Sequence, residues 1–211
     1  MRDLLGWARM KTKILTLIAS ALLIAAPAGA ATFSQATVDN LNAAYNGENN
    51  AHHRYLAFAQ KADEEGYGQV AKLFRAAARA EEIHRDNHKA VILKAGGTLD
   101  DKALDAVSVG TTAQNLQAAI KGESYERDTM YPGFIDTAKA EDAREAVRTF
   151  NFAVSAEKEH AKLYQTALDQ LGRNDPATYY VCTICGNTVT ARPDEKCPVC
   201  RRTSDKFVVV D

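Results

Sequence analysis

Two short stretches, Glu81-Glu82-Ile83-His84 and Glu157-Lys158-Glu159-His160, decide the fold of this 211-residue chain. Each stretch places a glutamate three residues before a histidine, and positions i and i+3 of an α-helix lie on the same face. A further glutamate precedes each stretch, in Gly47-Glu48 and in Gly122-Glu123. Two Glu-x-x-His helices, with one glutamate from each of two more helices, form the ligand set of a dinuclear carboxylate centre in a four-helix bundle.

The segments around these residues are predicted to be helices. Gly66, Gly96-Gly97 and Gly172 mark the ends of three of them, and a longer connection over 98–112 precedes the third. Pro132 is expected to bend the third helix, because proline removes a backbone donor and crowds the preceding turn. The expected helices run from about Val38 to Glu65, Gln69 to Ala95, Ala113 to Ala138 and Asp142 to Leu171.

The chain repeats itself, which indicates a duplicated helical hairpin. Leu41-Asn42-Ala43-Ala44-Tyr45-Asn46-Gly47-Glu48 matches Leu116-Gln117-Ala118-Ala119-Ile120-Lys121-Gly122-Glu123, and both segments lead into Glu-x-x-His after a similar interval. The two halves differ at one place: Glu126 lies three residues past the second segment, whereas Ala51 holds that place after the first. An asymmetric centre with one extra candidate ligand is therefore expected.

The candidate ligands lie within apolar stripes. On the first helix Leu41, Glu48 and Tyr55 follow helical spacing, and the other helices repeat this arrangement. Glutamate is usually a surface residue, and a buried, unpaired carboxylate is costly. Two cations between the carboxylates would remove that cost, and an oxygen-rich site with two imidazoles suits iron or manganese better than zinc. The predicted ligands are Glu48, Glu81, His84, Glu123, Glu126, Glu157 and His160.

Four cysteines form a second candidate metal site. Cys182-Thr183-Ile184-Cys185 and Cys197-Pro198-Val199-Cys200 have the spacing of a tetrathiolate site. Two disulfides are the alternative in an exported protein, but two intervening residues are few for a structural disulfide. Iron and zinc share the tetrathiolate geometry, so the cysteines alone do not choose between them. The strand-like runs Tyr179-Tyr180-Val181 and Phe207-Val208-Val209-Val210 predict a very small second domain around the site.

Residues 1–30 have the pattern of a secretory signal peptide. A basic start, an apolar run from Ile14 to Ala26 and the small residues Ala28-Gly29-Ala30 predict export, with a periplasmic location. The run is short for a membrane span, so stable insertion is not expected; an uncleaved anchor, or a start at Met10, is the alternative. The net charge of −1 and the lack of a basic cluster argue against a nucleic-acid partner. The predicted segments are residues 1–30, 31–173 and 174–211.

In combination, these motifs resemble the rubrerythrin family over about residues 38–211. The resemblance implies a mainly α fold, in which a ferritin-like four-helix bundle precedes a small β-rich, rubredoxin-like domain. It also implies two iron ions in the bundle and one iron, rather than zinc, in the cysteine site. The motifs that carry the resemblance are Gly47-Glu48, Glu81-x-x-His84, Gly122-Glu123-x-x-Glu126, Met130-Tyr131-Pro132, Glu157-x-x-His160 and the four cysteines.

The resemblance implies a role for each ligand of the bundle. Glu81 and Glu157 would bridge the two irons, and Glu48 and Glu123 would be terminal ligands, one on each iron. His160 would stay on one iron throughout the reaction.

The other iron would exchange a ligand. By the same resemblance Glu126 would bind it in the ferric state and His84 in the ferrous state, which gives both residues a catalytic role. Tyr55 and Tyr131 match family tyrosines that hydrogen-bond the ligands. Two features depart from the family: the exported leader, and Asn187 where many relatives carry an aromatic residue.

The activity that the resemblance implies is reduction of hydrogen peroxide to water, with electrons passed through the cysteine site from an unidentified redox partner protein. A homodimer is also expected, with the tail of one subunit serving the bundle of the other. Iron storage in the manner of ferritins is the main alternative, and a zinc-ribbon interaction module is a third. His88 is a candidate supporting residue, His52 and His53 are expected to be solvated, and Arg201-Arg202 is either a solvated turn or a docking patch.

Overall fold

The computed structural model describes residues 33–211, so the predicted signal peptide over residues 1–30 lies outside the described part. Five helices and a small sheet make up the described fold, which is mainly α as predicted. Among residues 33–211, no helix is long and apolar enough to cross a membrane. The helices are α1 (Gln35–Glu64), α2 (Gly68–Lys94), α3 (Thr112–Tyr125), α4 (Tyr131–Ala140) and α5 (Arg144–Asp169).

Local signals explain where these helices begin and end. The Ser34 hydroxyl accepts the Thr37 amide at the start of α1, and Thr111 forms a reciprocal capping box with Gln114 at the start of α3. Glycines with positive φ follow α1, α2 and α5, at Gly66, Gly96 and Gly172. The helix ends therefore fall close to their predicted positions.

Apolar side chains form two clusters, and the predicted ligands lie between them. On α1, Leu41 belongs to one cluster and Phe58 to the other, with Glu48 between them. On α2 the order is reversed, with Phe74 before and Ile92 after the Glu81 position, as expected of helices that run in opposite directions. The ligands thus form a polar layer inside an apolar bundle, and the large rings on both sides exclude water from it.

The third predicted helix is interrupted, which differs from the expectation of one bent helix. A π-helical turn over Glu126–Met130 separates α3 from α4, and the Tyr131 amide bonds back to the Glu126 carbonyl. Pro132 lies in the first turn of α4, where its missing N–H costs little. The wider turn accommodates the proline, and such π-helical turns are frequent at functional sites.

An asparagine ladder on α1 fixes the long connection between the two hairpins. Asn42, Asn46 and Asn50 are spaced four residues apart and share a helix face. Asn42 and Asn46 each donate to one backbone carbonyl of the connection and accept from the backbone amide two residues later, at 2.7–3.0 Å. Asn50 accepts the Asp105 amide at 2.9 Å. A connection without regular structure over 98–105 is therefore held by side chains of the bundle.

The C-terminal tail is a three-stranded antiparallel sheet packed against the bundle of the same chain. Strands β1 (Tyr179–Cys182), β2 (Thr188–Val189) and β3 (Phe207–Val210) lie in the order β2-β1-β3. Gln69 and Asn87 on α2 donate to tail carbonyls at 3.0 and 2.9 Å. The tail therefore lies against the parts of α2 and α5 that carry the predicted ligand histidines.

Candidate metal centres

The four main helix segments bring six of the seven predicted bundle ligands together. One compact group holds Glu48 and His84, the other holds Glu123 and His160, and both groups share two carboxylates. In each group one ligand atom per residue lies within 4.8 Å of all the others, and all the residues are buried. Two neighbouring cation positions result, each with three carboxylates and one imidazole. The shared carboxylates, which occupy the bridging position, are Glu81 and Glu157.

The carboxylate oxygens show that this layer fits cations. Each of the four glutamates has one buried oxygen without a hydrogen-bond partner among residues 33–211: Glu48 Oε2, Glu81 Oε1, Glu123 Oε2 and Glu157 Oε1. Four such oxygens converging in an apolar bundle would be strongly unfavourable if nothing neutralised them. Oxygen and imidazole donors at these positions suit iron or manganese, and the site accordingly fits a pair of such ions.

Protons can partly neutralise the carboxylates of this layer in place of metal ions. Burial and the charge of Glu81 raise the pKa of Glu48 well above its usual range, and burial and Glu157 raise that of Glu123 to about 8. Burial opposes protonation of His84, but Glu157 and Glu81 raise its pKa to about 10. Without metal the layer would therefore hold several protons, and metal binding would release them.

His84 and Glu126 occupy different places relative to this layer. His84 Nδ1 lies 2.9 Å from Glu81 and 3.3 Å from Glu157, so the imidazole is among the ligands. Glu126 belongs to neither compact group and is half-buried on the π-helical turn. Burial, with the charge of Glu123, raises the pKa of Glu126 well above its usual range. The structure thus has the imidazole of this pair at the ligand position and the carboxyl outside it.

Two tyrosines hydrogen-bond the terminal glutamates, one in each half. Tyr55 donates to Glu123 at 2.6 Å, and Tyr131 donates to Glu48. Both rings are buried. These bonds orient the two carboxylates, which matches the supporting role that the resemblance implies for the tyrosines.

Behind Tyr131 the two halves differ, and this difference centres on His88. His88 Nε2 lies 3.2 Å from the Tyr131 hydroxyl, and its Nδ1 lies 3.0 Å from the Thr149 hydroxyl. Burial, followed by the charge of His84, lowers the pKa of His88 to about 3, so the ring is neutral. Because the Tyr131 hydroxyl donates to Glu48, a neutral His88 donates from Nε2 to the Tyr131 oxygen and accepts a hydrogen bond from the Thr149 hydroxyl at Nδ1.

In the other half the corresponding position four residues after the ligand histidine is Tyr164. Its ring contacts Tyr55 at a centroid distance of 5.5 Å, but its buried hydroxyl has no hydrogen-bond partner in the described part of the chain. The hydrogen-bond chain from Thr149 to Glu48 therefore has no counterpart beside Glu123. His88, predicted only as a candidate supporting residue, contacts the tyrosine rather than a ligand atom within hydrogen-bond range.

The four cysteines have the geometry of a metal site. Sγ of Cys182 lies 3.7 Å from that of Cys200, and Sγ of Cys185 lies 3.6 Å from that of Cys197. A tetrahedral ion with metal–sulfur bonds of about 2.3 Å needs sulfur atoms about 3.8 Å apart, whereas a disulfide needs about 2.05 Å. The four thiols form no disulfides in the structure, and the distances between their sulfur atoms fit a metal ion bound by four thiolates rather than two disulfides.

The thiols also differ in acidity and exposure. A hydrogen bond from Cys185, with burial opposing it, lowers the pKa of Cys182 to about 5, while burial raises that of Cys200 to about 11. Three of the cysteines are fully buried, and Cys200 alone among the four is partly exposed. The site therefore has one side open to solvent.

The buried side of the cysteine site contacts the bundle centre directly. His84 Nε2 lies 3.1 Å from the Cys185 carbonyl, and His160 Nε2 lies 3.0 Å from the Thr188 hydroxyl. Gly186, at φ +73°, leaves the space that the His84 ring occupies. Both ligand histidines thus present Nδ1 to the carboxylates and Nε2 to the tail. The sequence motifs did not predict the contacts of Gly186 and Thr188.

The fold and the two sites define the class of protein: a ferritin-like bundle with a dinuclear carboxylate centre, joined to a rubredoxin-like tetrathiolate domain. The family model Rubrerythrin matches residues 39–168, and the model of the rubrerythrin rubredoxin-like domain matches residues 180–208. The chain belongs to the rubrerythrin family.

Individual relatives agree with this assignment. The chain is 39% identical to Rubrerythrin-2 of Clostridium acetobutylicum over 81% of this chain and 95% of that one. It is also 39% identical to Nigerythrin of Nitratidesulfovibrio vulgaris, over 81% of this chain and 85% of that one. A solved structure of nigerythrin in a mixed-valence state superposes with a TM-score of 0.75 at 35% identity, covering 96% of this chain and all of that one. Bacterioferritin of Mycobacterium tuberculosis, at 19% identity and a TM-score of 0.62 over 67% of this chain and 89% of its own, shares the bundle fold.

Proposed function

We propose that the protein is a di-iron peroxidase that reduces hydrogen peroxide to water with electrons delivered through the cysteine site. One observation carries this proposal: the Cys185 carbonyl lies 3.1 Å from Nε2 of His84, whose Nδ1 lies among the dinuclear ligands. A redox site placed against a ligand of a second redox site is an arrangement for electron transfer. Storage of iron has no need of it.

Iron at both centres would supply the two electrons and the Lewis acidity that cleavage of the O–O bond requires. The balanced reaction consumes one peroxide, two electrons and two protons and yields two waters. Tyr131 and Tyr55 hold the terminal carboxylates in place through their hydroxyl protons. The apolar clusters exclude bulk water, which strengthens the electrostatic interactions inside the layer.

Glu126 is suited to carry a proton to this layer. It is half-buried and lies outside both compact groups, and burial with the charge of Glu123 raises its pKa, so it holds a proton more readily than an exposed glutamate does. A general acid acts best when its pKa lies near the working pH. Glu126 is carried by the π-helical turn between α3 and α4, and such turns are frequent at functional sites.

The choice of iron follows from relatives. A solved structure of nigerythrin, which covers 96% of this chain at 32% identity, is described as fully reduced and all ferrous. We extend iron to both centres of this chain on that basis, with zinc in the cysteine site as the alternative. Metal analysis and the visible spectrum of the purified protein separate these metals, because a ferric tetrathiolate absorbs visible light and zinc does not.

The likeness to bacterioferritin makes iron oxidation and storage the rival function. That likeness shows only the bundle fold, and it leaves the tail unexplained. Anaerobic stopped-flow mixing of the ferrous protein with peroxide or with dioxygen decides between the two functions. The peroxidase reacts much faster with peroxide, at a stoichiometry of one peroxide per dinuclear centre, and forms no mineral. Faster reaction with dioxygen, followed by growth of a ferric mineral, would establish storage.

We also propose export, a homodimer and a separate electron donor. The leader pattern supports export, and cell fractionation with N-terminal sequencing of the mature protein tests it. Recovery of the intact chain from the cytoplasm would reject export. Sedimentation velocity of the iron-loaded protein tests the dimer.

A further inference from the structure

The cysteine site has two sides, and only one of them faces the dinuclear centre. Cys185 lies against His84 on the buried side, whereas Cys200 is the partly exposed ligand. An electron that leaves the site towards His84 must first enter it from elsewhere. The exposed edge at Cys200 is the route that the geometry leaves open.

Three arginines surround this edge. A surface cavity of about 360 Å³ is lined by Cys200 together with Arg148 from α5 and Arg201 and Arg202 from the tail. Phe152 and Ile184 supply an apolar floor. We name Arg148, Arg201 and Arg202 around Cys200 the arginine face. Two separate parts of the chain converge to build it, because Arg148 belongs to the bundle and the other two arginines belong to the tail.

The charge of the arginine face is not neutralised by any ion pair within residues 33–211. Over residues 33–211 the carboxylates within 4.0 Å of a basic group pair with other residues, and none pairs with these three guanidinium groups. All three arginines are exposed. The cavity is therefore a concentrated positive patch on a chain whose formal net charge is −1.

Arg201 occupies an unfavourable backbone position. Its φ is +62°, while the matching position after the first cysteine pair is Gly186 at φ +73°. Glycine adopts this left-handed conformation without a steric penalty, and arginine does not. The first cysteine pair uses glycine where the His84 ring approaches, and the second places an arginine at the corresponding place beside the exposed cysteine.

We propose that the arginine face is the docking site of the electron donor, and that the donor is a small one-electron carrier protein with an acidic surface around its own redox centre. This deepens the proposed function and rests on it. Charge complementarity selects the acidic partner and speeds encounter. A small apolar floor with a charged rim fits a weak, rapidly exchanging electron-transfer contact. With iron bound by the four cysteines, the carrier would be oxidised by one electron and the cysteine site would be reduced by one.

The test measures reduction of the cysteine site without peroxide, so that it does not depend on turnover. Reduced flavodoxin serves as the acidic carrier, and the methyl viologen radical serves as a donor of opposite charge. At low ionic strength Arg148→Glu and Arg202→Glu should each slow reduction by flavodoxin about tenfold. Lys162→Glu is the matched control: it changes the net charge equally but lies about 21 Å further along α5, and it should change the rate less than twofold.

Two further results are expected. Reduction by the cationic viologen should be as fast or faster in the arginine variants, and calorimetric titration with oxidised flavodoxin should show weaker binding to them. Arg201→Gly should keep or raise the melting temperature, because glycine relieves the backbone strain, while slowing reduction by flavodoxin several-fold. Slower electron entry into a more stable protein is not what damage to the fold would produce.

The proposal is overturned if Lys162→Glu and Arg148→Glu slow flavodoxin equally, or if the rate is independent of ionic strength. Equal donor rates in all variants, with a smaller sedimentation coefficient for the arginine variants, would assign the face to a second copy of the chain instead. Failure of the proposed function looks different: the cysteine site would still be reduced through the arginine face, but peroxide would not reoxidise the protein.

Discussion

Replacing Gly186 by alanine tests whether the contact between the two centres is the path of electrons. An added Cβ would lie 2.7 Å from Cδ2 and 3.0 Å from Cε1 of His84, and nearer still to Nε2. Ordinary carbon contacts begin at about 3.5 Å, so the tail or the imidazole must move by about 1 Å. The positive φ of +73° adds about 1–2 kcal/mol of strain for any L-residue.

Gly172→Ala provides a matched control for the strain alone. Gly172 has φ +83° and nothing within 4 Å of an added Cβ. Both variants should therefore lose about 1–2 kcal/mol of unfolding free energy, measured by urea denaturation. Only Gly186→Ala should separate the two centres.

The assay follows reoxidation of the reduced cysteine site after one equivalent of peroxide has oxidised the bundle centre. A displacement of about 1 Å can cost about 100-fold in a rate that depends on close positioning, so Gly186→Ala should slow this step by at least tenfold. Gly172→Ala should leave it unchanged. Equal rates in both variants and the unaltered protein would refute the claim that the Cys185–His84 contact carries the electrons.

Three further predictions concern the ligands, the tyrosine support and the connection. Glu81→Gln removes a carboxylate shared by both cation positions and should reduce the bound bundle metal from two ions to at most one, by metal analysis. His88→Leu removes a group whose pKa is about 3 in the folded protein, below its ordinary 6.5. As pH falls from about 6.5, the unfolded chain with His88 takes up a proton before the folded chain does, so the unaltered protein loses stability. The difference in unfolding free energy between the two proteins, measured by urea denaturation, should therefore be about 2 kcal/mol smaller at pH 5 than at pH 7. Asn46→Asp keeps the acceptor of the ladder but loses the donor to the Asp100 carbonyl, and should cost about 1–3 kcal/mol of unfolding free energy.

Each of these predictions has a control on the same helix. Glu82→Gln, next to the shared carboxylate but outside the metal layer, should leave the metal content at two ions. Asn87→Leu should show no comparable change of the stability gap with pH, because asparagine does not titrate. Asn49→Asp on the half-exposed side of α1 should change stability by less than about 0.5 kcal/mol. A stability gap for His88→Leu that is the same at pH 7 and pH 5 would contradict a neutral, buried imidazole.

The sequence predicted the bundle and its ligands well because helical geometry is local. A glutamate and a histidine at i and i+3 share a face whatever surrounds them, so Glu81 and His84 were identifiable before any tertiary contact was known. Glycines that adopt positive φ mark helix ends for an equally local reason. The family resemblance added the bridging role of Glu81 and Glu157, and the structure places these two carboxylates in both compact groups.

What the sequence did not predict depends on tertiary packing or on small backbone shifts. The π-helical turn at Glu126–Met130 changes hydrogen bonding by one residue, which the spacing of apolar residues does not register. The contact of Gly186 with His84 exists only once the tail is packed on the bundle. The asparagine ladder had a visible signal, since Asn42 and Asn46 repeat at helical spacing, but its partners lie in a connection without periodicity.

His52 shows the same limit. It was expected to be solvated, yet its Nδ1 lies 2.7 Å from the Ala78 carbonyl and ties α1 to α2. Its neighbour His53 bonds within its own helix, to the Asn49 carbonyl at 2.8 Å. Both rings are half-buried. Adjacent histidines with similar sequence surroundings thus differ in partner because only one of them faces the next helix.

The tail completes the dinuclear centre as well as serving it. A ligand histidine needs a partner for its second nitrogen, which fixes the ring and its tautomer. In this chain the partners of both histidines come from the tail: the Cys185 carbonyl for His84 and the Thr188 hydroxyl for His160. If the tail were removed, both Nε2 atoms would lose their partners, at a cost of about 1–3 kcal/mol for each that stayed buried. The position of the cysteine site is therefore coupled to the metal affinity of the bundle, and under the proposed function the contacts that fix the imidazoles would also set the distance that an electron crosses.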